Sequence, residues 1–387
     1  MKDKISLVTI ADFGEIKNLK TDQSYYAVKK FLEKNELNNI FCRQSKNTNL
    51  PVVPLGTLDN IFLKSTRALN VITSKTIRKK FNIYYTILDY SIFSRIRKQK
   101  IKSKAVYFVP YLFPRTLGYC NKKGIITILS GTSEHPKVTQ KVQNEEREKF
   151  RLPIDTSHKD KAHDTIKKAD YITALSNYTK KTYVEQGISG DKIKVLYPGI
   201  NAKRFKPGNK KDKTKKITYI TVASFNLRKG LYYLLKAWEE LQLENAELIV
   251  VGSINGEAAR SIENINTKNV KIISHTDPVK YYKKADVFVF PTLSDSFGRT
   301  GLEALSSGLP LIVTKTAGCS EIIKDNKHGF KIERRNIKQL KDKMLYFYKN
   351  PREIERMGKN ARKLVEIKYT MEKYSERAYK VISSCIK

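Results

Sequence analysis

A chain of 387 residues is long enough for two or three domains, and its 40% hydrophobic content supplies packed cores, which excludes a wholly disordered basic protein. Lysine and arginine number 75 against 38 aspartate and glutamate, a formal charge of +37 that asks for a partner or a location. No segment approaches the roughly 18–20 apolar residues that cross a bilayer, and Cys42, Cys120, Cys319 and Cys385 are scattered, which implies neither a disulfide framework nor a zinc site and fits a reducing cytosol.

In chain order, MKDKISLVTIADFGE reads as a first strand, ISLVTI (5–10), rather than a signal peptide. SYYAVKKFLEKN (24–35) reads as a helix and NNIFC (38–42) as the next strand. Residues 61–123 then carry 15 lysines and arginines and a single acid, Asp89, with Phe62, Phe81, Tyr84, Tyr85, Tyr90, Phe93, Tyr107, Phe108, Tyr111 and Phe113 interleaved. Such a stretch suits nucleic acid or an anionic membrane surface; a lysine-rich background accounts for the rest of the charge, because residues 1–200 (37 basic, 18 acidic) and 201–387 (38 basic, 20 acidic) are equally basic. KAVYFVP (104–110), IITIL (125–129), YITAL (171–175) and IKVLY (193–197) are further strands, separated by helical stretches at 139–150 and 177–187. The alternation is that of a parallel α/β fold.

RFKPGNKKDKTKK (204–216) combines two breakers with a lysine run and reads as a solvated linker. Strands resume at ITYITVA (217–223), ELIVVG (247–252), VKIIS (270–274), DVFVF (286–290) and LPLIV (309–313). Between the first two, Leu231, Leu234, Leu235, Trp238 and Leu241 repeat at the helical period. From about Asn350 the chain is helical and polar-amphipathic. Two doubly wound domains facing a cleft are expected, with ligands at the C-terminal ends of strands.

Two loops at such ends carry chemistry. In VASFNLRKG (222–230), Arg228 and Lys229 precede a helix and could neutralise a diphosphate; a solvated loop is the plainer reading of position alone. In FPTLSDSFGRTGLEALSSGLP (290–310), a helix N-terminus near Arg299–Gly301 offers free N–H groups to phosphate. There Gly298 and Gly301 would let a ligand approach the backbone, and Asp295 and Glu303 can accept hydroxyl hydrogen bonds; capping and surface charge are the alternative.

These segments, with ADYITALSNYTKKTYVEQGISGDKIKVLYPGINAKRFKPG (169–208) before them, resemble the family-4 retaining glycosyltransferases (glycosyl transferases group 1) of GT-B fold. The resemblance covers about 165–323 well and 5–160 weakly, and its mark is three segments in order, the last with acid, seven residues, Glu as SDSFGRTGLE. It implies a GT-B α/β protein of two Rossmann-like domains: an acceptor-side domain (1–203), a linker (204–216), a donor domain (217–368) and a C-terminal helix (369–387) crossing back to the first domain. It implies that Glu303 holds the nucleotide ribose, that Asp295, normally Glu, contacts donor-sugar hydroxyls, and that Phe297, Gly298, Arg299 and Thr300 border sugar and diphosphate. Lys229 matches the phosphate-binding lysine. The arginine often found five positions before it is Ser224 here, which gives its role to Arg228, and of the Gly-Gly loop common near the N-terminus only Gly14 remains. His135, in GTSEHPKVTQ, resembles the histidine some members place near the donor sugar, and as a lone histidine before proline it is equally a plain loop residue. His158, His163, His275 and His328 read as structural.

The implied reaction moves a sugar from a nucleoside-diphosphate sugar to a hydroxyl acceptor, a glycan or a lipid-linked one, with retention and with His135, Asp295 and Lys229 as the catalytic set. No D-x-D triplet is present, so the cationic turn is expected to replace a metal, and no cofactor is expected beside the donor itself. The basic stretch, notably SKTIRKK (74–80) and SRIRKQKIKSK (94–104), is expected to hold the protein on the cytoplasmic face of the cell membrane. A basic nucleic-acid binder, or a GT-B relative such as a phosphorylase or sugar-nucleotide epimerase, is the competing class; no nucleic-acid module accompanies the charge, and an acidic pair in the cleft would repel a backbone.

Overall fold

A computed structural model describes residues 5–9, 23–42, 52–54, 76–98, 103–109, 113–157, 160–208, 216–274 and 276–386. Gly14, residues 61–75, His158, residues 209–215 of the linker and His275 lie outside the described residues.

The N-terminal half places seven parallel strands in one sheet: β1 (Ile5–Thr9), β2 (Leu37–Cys42), β3 (Val52–Pro54), β4 (Ala105–Val109), β5 (Ile126–Gly131), β6 (Tyr171–Ala174) and β7 (Ile193–Val195), in the order β3-β2-β1-β4-β5-β6-β7. The C-terminal half repeats the plan with β8 (Ile217–Val222), β9 (Ala246–Val251), β10 (Val270–Ile273), β11 (Val287–Phe290), β12 (Leu311–Thr314) and β13 (Gly329–Ile332), ordered β10-β9-β8-β11-β12-β13. Every strand pair among the described residues is parallel, from Ile5 beside Ala105 to Val313 beside Lys331. Helices cover both faces of the second sheet, and its apolar runs follow from that. Ile220, Val222, Phe288, Phe290 and Val313 point into one core, while Tyr219, Val287, Val289 and Ile312 point into another. Eleven strands fall where the apolar runs place them. β3 and β13 do not announce themselves, since Val-Val-Pro is very short and Gly-Phe-Lys-Ile carries a glycine and a lysine.

The linker differs from its expectation at its start. Phe205 is buried against Tyr282, with ring centroids 6.0 Å apart, and its carbonyl accepts from Ser306 Oγ at 2.8 Å. A Cβ on Gly208 would stand 2.0 Å from the Lys283 carbonyl oxygen, so Phe205 and Gly208 are packed while Arg204, Lys206 and Pro207 beside them stay exposed. At the other end, helix Met371–Ser384 lies on helix Gln23–Glu33, where Phe31 and Tyr379 stack at 4.7 Å. The Ile200 amide donates to the Tyr369 carbonyl at 2.8 Å, which ties the two crossings between the halves together.

The halves also touch through helix Pro136–Lys149. Its Glu146, 1% exposed, accepts from Arg335 Nε at 2.7 Å and from the Tyr233 hydroxyl at 2.9 Å. Glu145 takes Arg335 Nη2 at 2.7 Å, and Arg147 Nε donates to Glu257 at 2.9 Å.

Candidate active site in the domain cleft

Strand order in the C-terminal sheet reverses between β8 and β11, so the loops leaving these neighbours diverge and open a crevice. After β8 the chain makes a tight turn, Leu227–Lys229, before helix Leu231–Leu241. Gly230 ends that turn at φ +69, and a Cβ there would lie 2.1 Å from the Pro291 carbonyl oxygen. Only glycine allows the two loops to run this close. They are stitched by the Leu293 amide, which donates to the Arg228 carbonyl at 2.8 Å, and by Thr292 Oγ1 at 3.1 Å on the same oxygen.

The stitching brings charges together. Lys229 Nζ pairs with Asp295 Oδ2, and Arg228 Nη1 lies 4.0 Å from the same oxygen while donating to the Ser294 carbonyl. Asp295 Oδ1 accepts the Phe297 amide at 3.1 Å. Burial alone would push the Asp295 carboxyl up, but Lys229 and Arg228 outweigh it, and the group is held below the usual aspartate range. Glu303 sits on helix Arg299–Ser306 with Oε2 taking the Tyr282 hydroxyl at 3.0 Å. Here burial dominates and raises the carboxyl above the usual range, opposed by that hydrogen bond and by the charges of Arg299 and Arg204.

Arg228, Lys229 and Asp295 thus form one cluster. Arg299 is exposed and Thr300 partly so, both in the first turn of their helix, where the N–H groups have no intrahelical acceptor. Phe297 is fully buried; its amide serves Asp295 and its carbonyl accepts from Cys319, so its side chain is core. The two glycines need a different explanation from ligand approach. A Cβ on Gly298, which has φ +82, would meet Phe290 Cε1 at 2.5 Å, and one on Gly301 would meet Cys319 Sγ at 2.8 Å. Protein groups, not open space for a ligand, fill those positions.

His135 is not brought to the cluster. It is fully buried, caps helix Pro136–Lys149 by accepting the Lys137 amide on Nδ1 at 3.3 Å, and faces His163 Nδ1 with Nε2 at 3.1 Å. Burial, with help from His163 and Lys137, lowers it to about 4. Its neighbour Glu134 is the residue that crosses the cleft. That carboxylate, 3% exposed, takes Arg228 Nη1 at 3.1 Å and the Ser294 hydroxyl at 2.5 Å, and Tyr178 donates to Ser294 Oγ at 3.1 Å. Glu321 works in the opposite direction, from the C-terminal half to the amides of Asn177 (2.9 Å) and Tyr178 (2.7 Å) at the start of helix Asn177–Val184. Neither acid stands in a pattern that singles it out in the sequence; a loop position after a strand is the only signal.

Residues 202–364 match the family of glycosyl transferases group 1. The fold is GT-B. Over 99% of this chain and 98% of the other, the structure superimposes on sucrose-phosphate synthase from Thermosynechococcus elongatus with a TM-score of 0.69 at 17% identity. HepE from Anabaena in complex with UDP-glucose gives 0.65 at 12% identity, covering 98% of this chain and 99% of that one. Among curated proteins, the capsular polysaccharide biosynthesis glycosyltransferase CapM of Staphylococcus aureus is 30% identical over 151 residues, 37% of this chain and 39% of CapM. Alignments to this and the next three curated relatives span between 39% and 48% of those proteins' lengths. Among the described residues no helix is long and apolar enough to cross a membrane.

Proposed function

We propose that this protein is a glycosyltransferase that moves a sugar from a nucleoside-diphosphate sugar to the hydroxyl of a glycan or lipid-linked acceptor, with retention and without a metal. The observation that carries the reading is the Arg228–Lys229–Asp295 cluster at the point where strand order reverses in the GT-B donor half. In it, the entering diphosphate takes Lys229 from Asp295. The freed carboxylate, ionised at neutral pH, then accepts hydrogen bonds from the sugar, and Glu303 does the same for the ribose. As the acceptor oxygen bonds to the anomeric carbon, the bond from that carbon to the diphosphate oxygen breaks, its electron pair leaves with the phosphate, and the acceptor hydroxyl passes its proton to the departing diphosphate oxygen. Negative charge grows on the leaving group beside Arg228, Lys229 and the first-turn amides of Arg299 and Thr300, which is where fixed positive charge accelerates the step. Those cations supply what a metal would. Retention follows from the family resemblance.

UDP, GDP and ADP titrated into the wild type, Lys229→Ala and Glu303→Ala test the donor site, with UDP first because the HepE neighbour holds UDP-glucose. One of the three is expected to bind the wild type and to be weakened by both substitutions. Lys229→Ala is expected to cost turnover about 3–4 kcal/mol, with a chelator leaving the wild-type rate unchanged and the product keeping the donor's anomeric configuration by NMR. Equal binding by all three proteins sinks the assignment.

The acceptor reading draws on CapM, whose name places it in capsular polysaccharide biosynthesis. Attachment to an anionic membrane face draws on the basic stretch, where Arg97, Lys98, Arg115, Lys122 and Lys123 are exposed and Arg115 covers the exposed ring of Tyr90 at 5.3 Å. The protein is expected to sediment with anionic vesicles at low salt and to be released by high salt; absence from the low-salt pellet overturns it.

A further inference from the structure

Arg228 is fastened along one edge only. Its Nη1 donates to Glu134 at 3.1 Å and to the Ser294 carbonyl. Nε is buried with no hydrogen-bond partner, in a side chain 15% exposed. A guanidinium presents two hydrogen-bonding edges, and with Nη1 occupied the Nε–Nη2 edge is the fork that remains for a bidentate anion. The group that fixes this arrangement comes from the other half of the molecule. Glu134 is buried, and its position is set from several sides. Ser294 Oγ donates to it under the Tyr178 hydroxyl, and the His135 amide donates to Thr182 Oγ1 at 3.1 Å. Tyr183 donates to the Ser133 carbonyl at 3.1 Å, and Ser296 Oγ to that of Thr132 at 3.1 Å. A loop so restrained is a clamp on Arg228 rather than a free chain beside it.

We infer that Glu134 is a positioning residue: reaching across the cleft, it holds the Nη1 side of Arg228 so that the Nε–Nη2 edge meets the donor diphosphate. The inference rests on the proposed donor site. Since the support belongs to the N-terminal half, the diphosphate site is complete only when both halves meet around it.

The two ideas fail separately. UDP is titrated into the wild type, Glu134→Ala, Glu134→Gln, Arg228→Ala and the Glu134→Ala/Arg228→Ala double variant, with melting temperature recorded for each. Glu134→Ala is expected to weaken UDP binding roughly tenfold, the range in which a supporting partner of a ligand-binding group usually acts. Glu134→Gln, which keeps an acceptor oxygen, is expected to recover part of that loss. In the Arg228→Ala background, removing Glu134 is expected to change UDP affinity by less than about twofold, because there is no guanidinium left to aim. Tighter UDP binding in Glu134→Ala would show that the carboxylate competes with phosphate and overturns the inference. A tenfold loss that persists without Arg228 reduces Glu134 to a structural contact and overturns it too. If the wild type binds UDP, and Lys229→Ala weakens it while Glu134→Ala does not, only the clamp is wrong; if GDP or ADP is the ligand that binds, the same cycle is run with it.

Discussion

The two sheets share a strand order up to the seventh strand of the first, yet among the described residues the cluster of two cations and a carboxylate lies at the strand ends of the second sheet. In the C-terminal half the loops after β8 and β11 carry both cations and a carboxylate, with Lys229 paired to Asp295 and Arg228 Nη1 4.0 Å from it. In the N-terminal half the described loop after β5 makes no such set; it sends Glu134 outward to the opposite domain and turns His135 inward. Equal topology produces equal crevices, and the loops decide what each crevice can do. The family match, confined to 202–364, follows the same division.

The contrast can be broken at the seam between the halves. Glu146 is buried there, and Arg335 supplies its ionic partner from the C-terminal half. Arg335→Ala leaves that carboxylate with the Tyr233 hydroxyl, itself bonded by Lys149 Nζ at 2.9 Å, as its remaining link to a cation, and removing one partner of a buried pair costs up to roughly 3–5 kcal/mol. Because the pair joins two domains, the loss is expected to show as separation of a single urea transition into two, with the C-terminal sheet unfolding apart from the N-terminal one. Glu146→Gln, paired with Tyr233 and a neutral partner for Arg335, is expected to lose less. A single transition at the wild-type midpoint in Arg335→Ala would mean that apolar contacts such as Val142 with Tyr233 and Leu293 hold the halves together.

The same division governs what could be read from the sequence. Strands buried on both faces are written as short apolar runs, so DVFVF and ELIVVG declare themselves, and the alternation with amphipathic helices gives the α/β class. The cation turn and the acidic loop are local patterns, each lying within one strand–loop–helix unit, and their residues could be named before their partners were known. Glu134 meeting Arg228 is different. These residues stand 94 positions apart on different domains, and no local spacing encodes the contact. Gly298 shows a subtler gap: its type was legible, but the sequence holds nothing to say that Phe290 and Cys319, rather than a ligand, fill the space beside it.

Among the described residues, each half also holds a buried histidine whose ring burial keeps neutral, and these allow the comparison to be sharpened at smaller cost to the fold. His135 and His328 are both lowered to about 4, the first by burial with His163 and Lys137, the second by burial with Lys327 and Lys324. In the unfolded chain a histidine takes up its proton near 6.5. The folded state therefore binds fewer protons below that value, and the stability each ring contributes is complete above about pH 6.5 and is lost as pH falls toward about 4. Between about pH 7 and about pH 5.5 the loss amounts to about 1 kcal/mol for each ring. His135→Asn keeps an acceptor at the cap of helix Pro136–Lys149 but removes the titration. His328→Asn does the same where His328 Nδ1 accepts the Lys324 amide at 3.0 Å. Melting temperature against pH is expected to be flatter in each variant than in the wild type by one ring's share, and flatter by both shares in the double variant. A His135→Asn curve parallel to the wild type would mean that His135 is protonated in the fold, with its pair to His163 rearranged. A parallel His328→Asn curve would place the same failure in the C-terminal half instead.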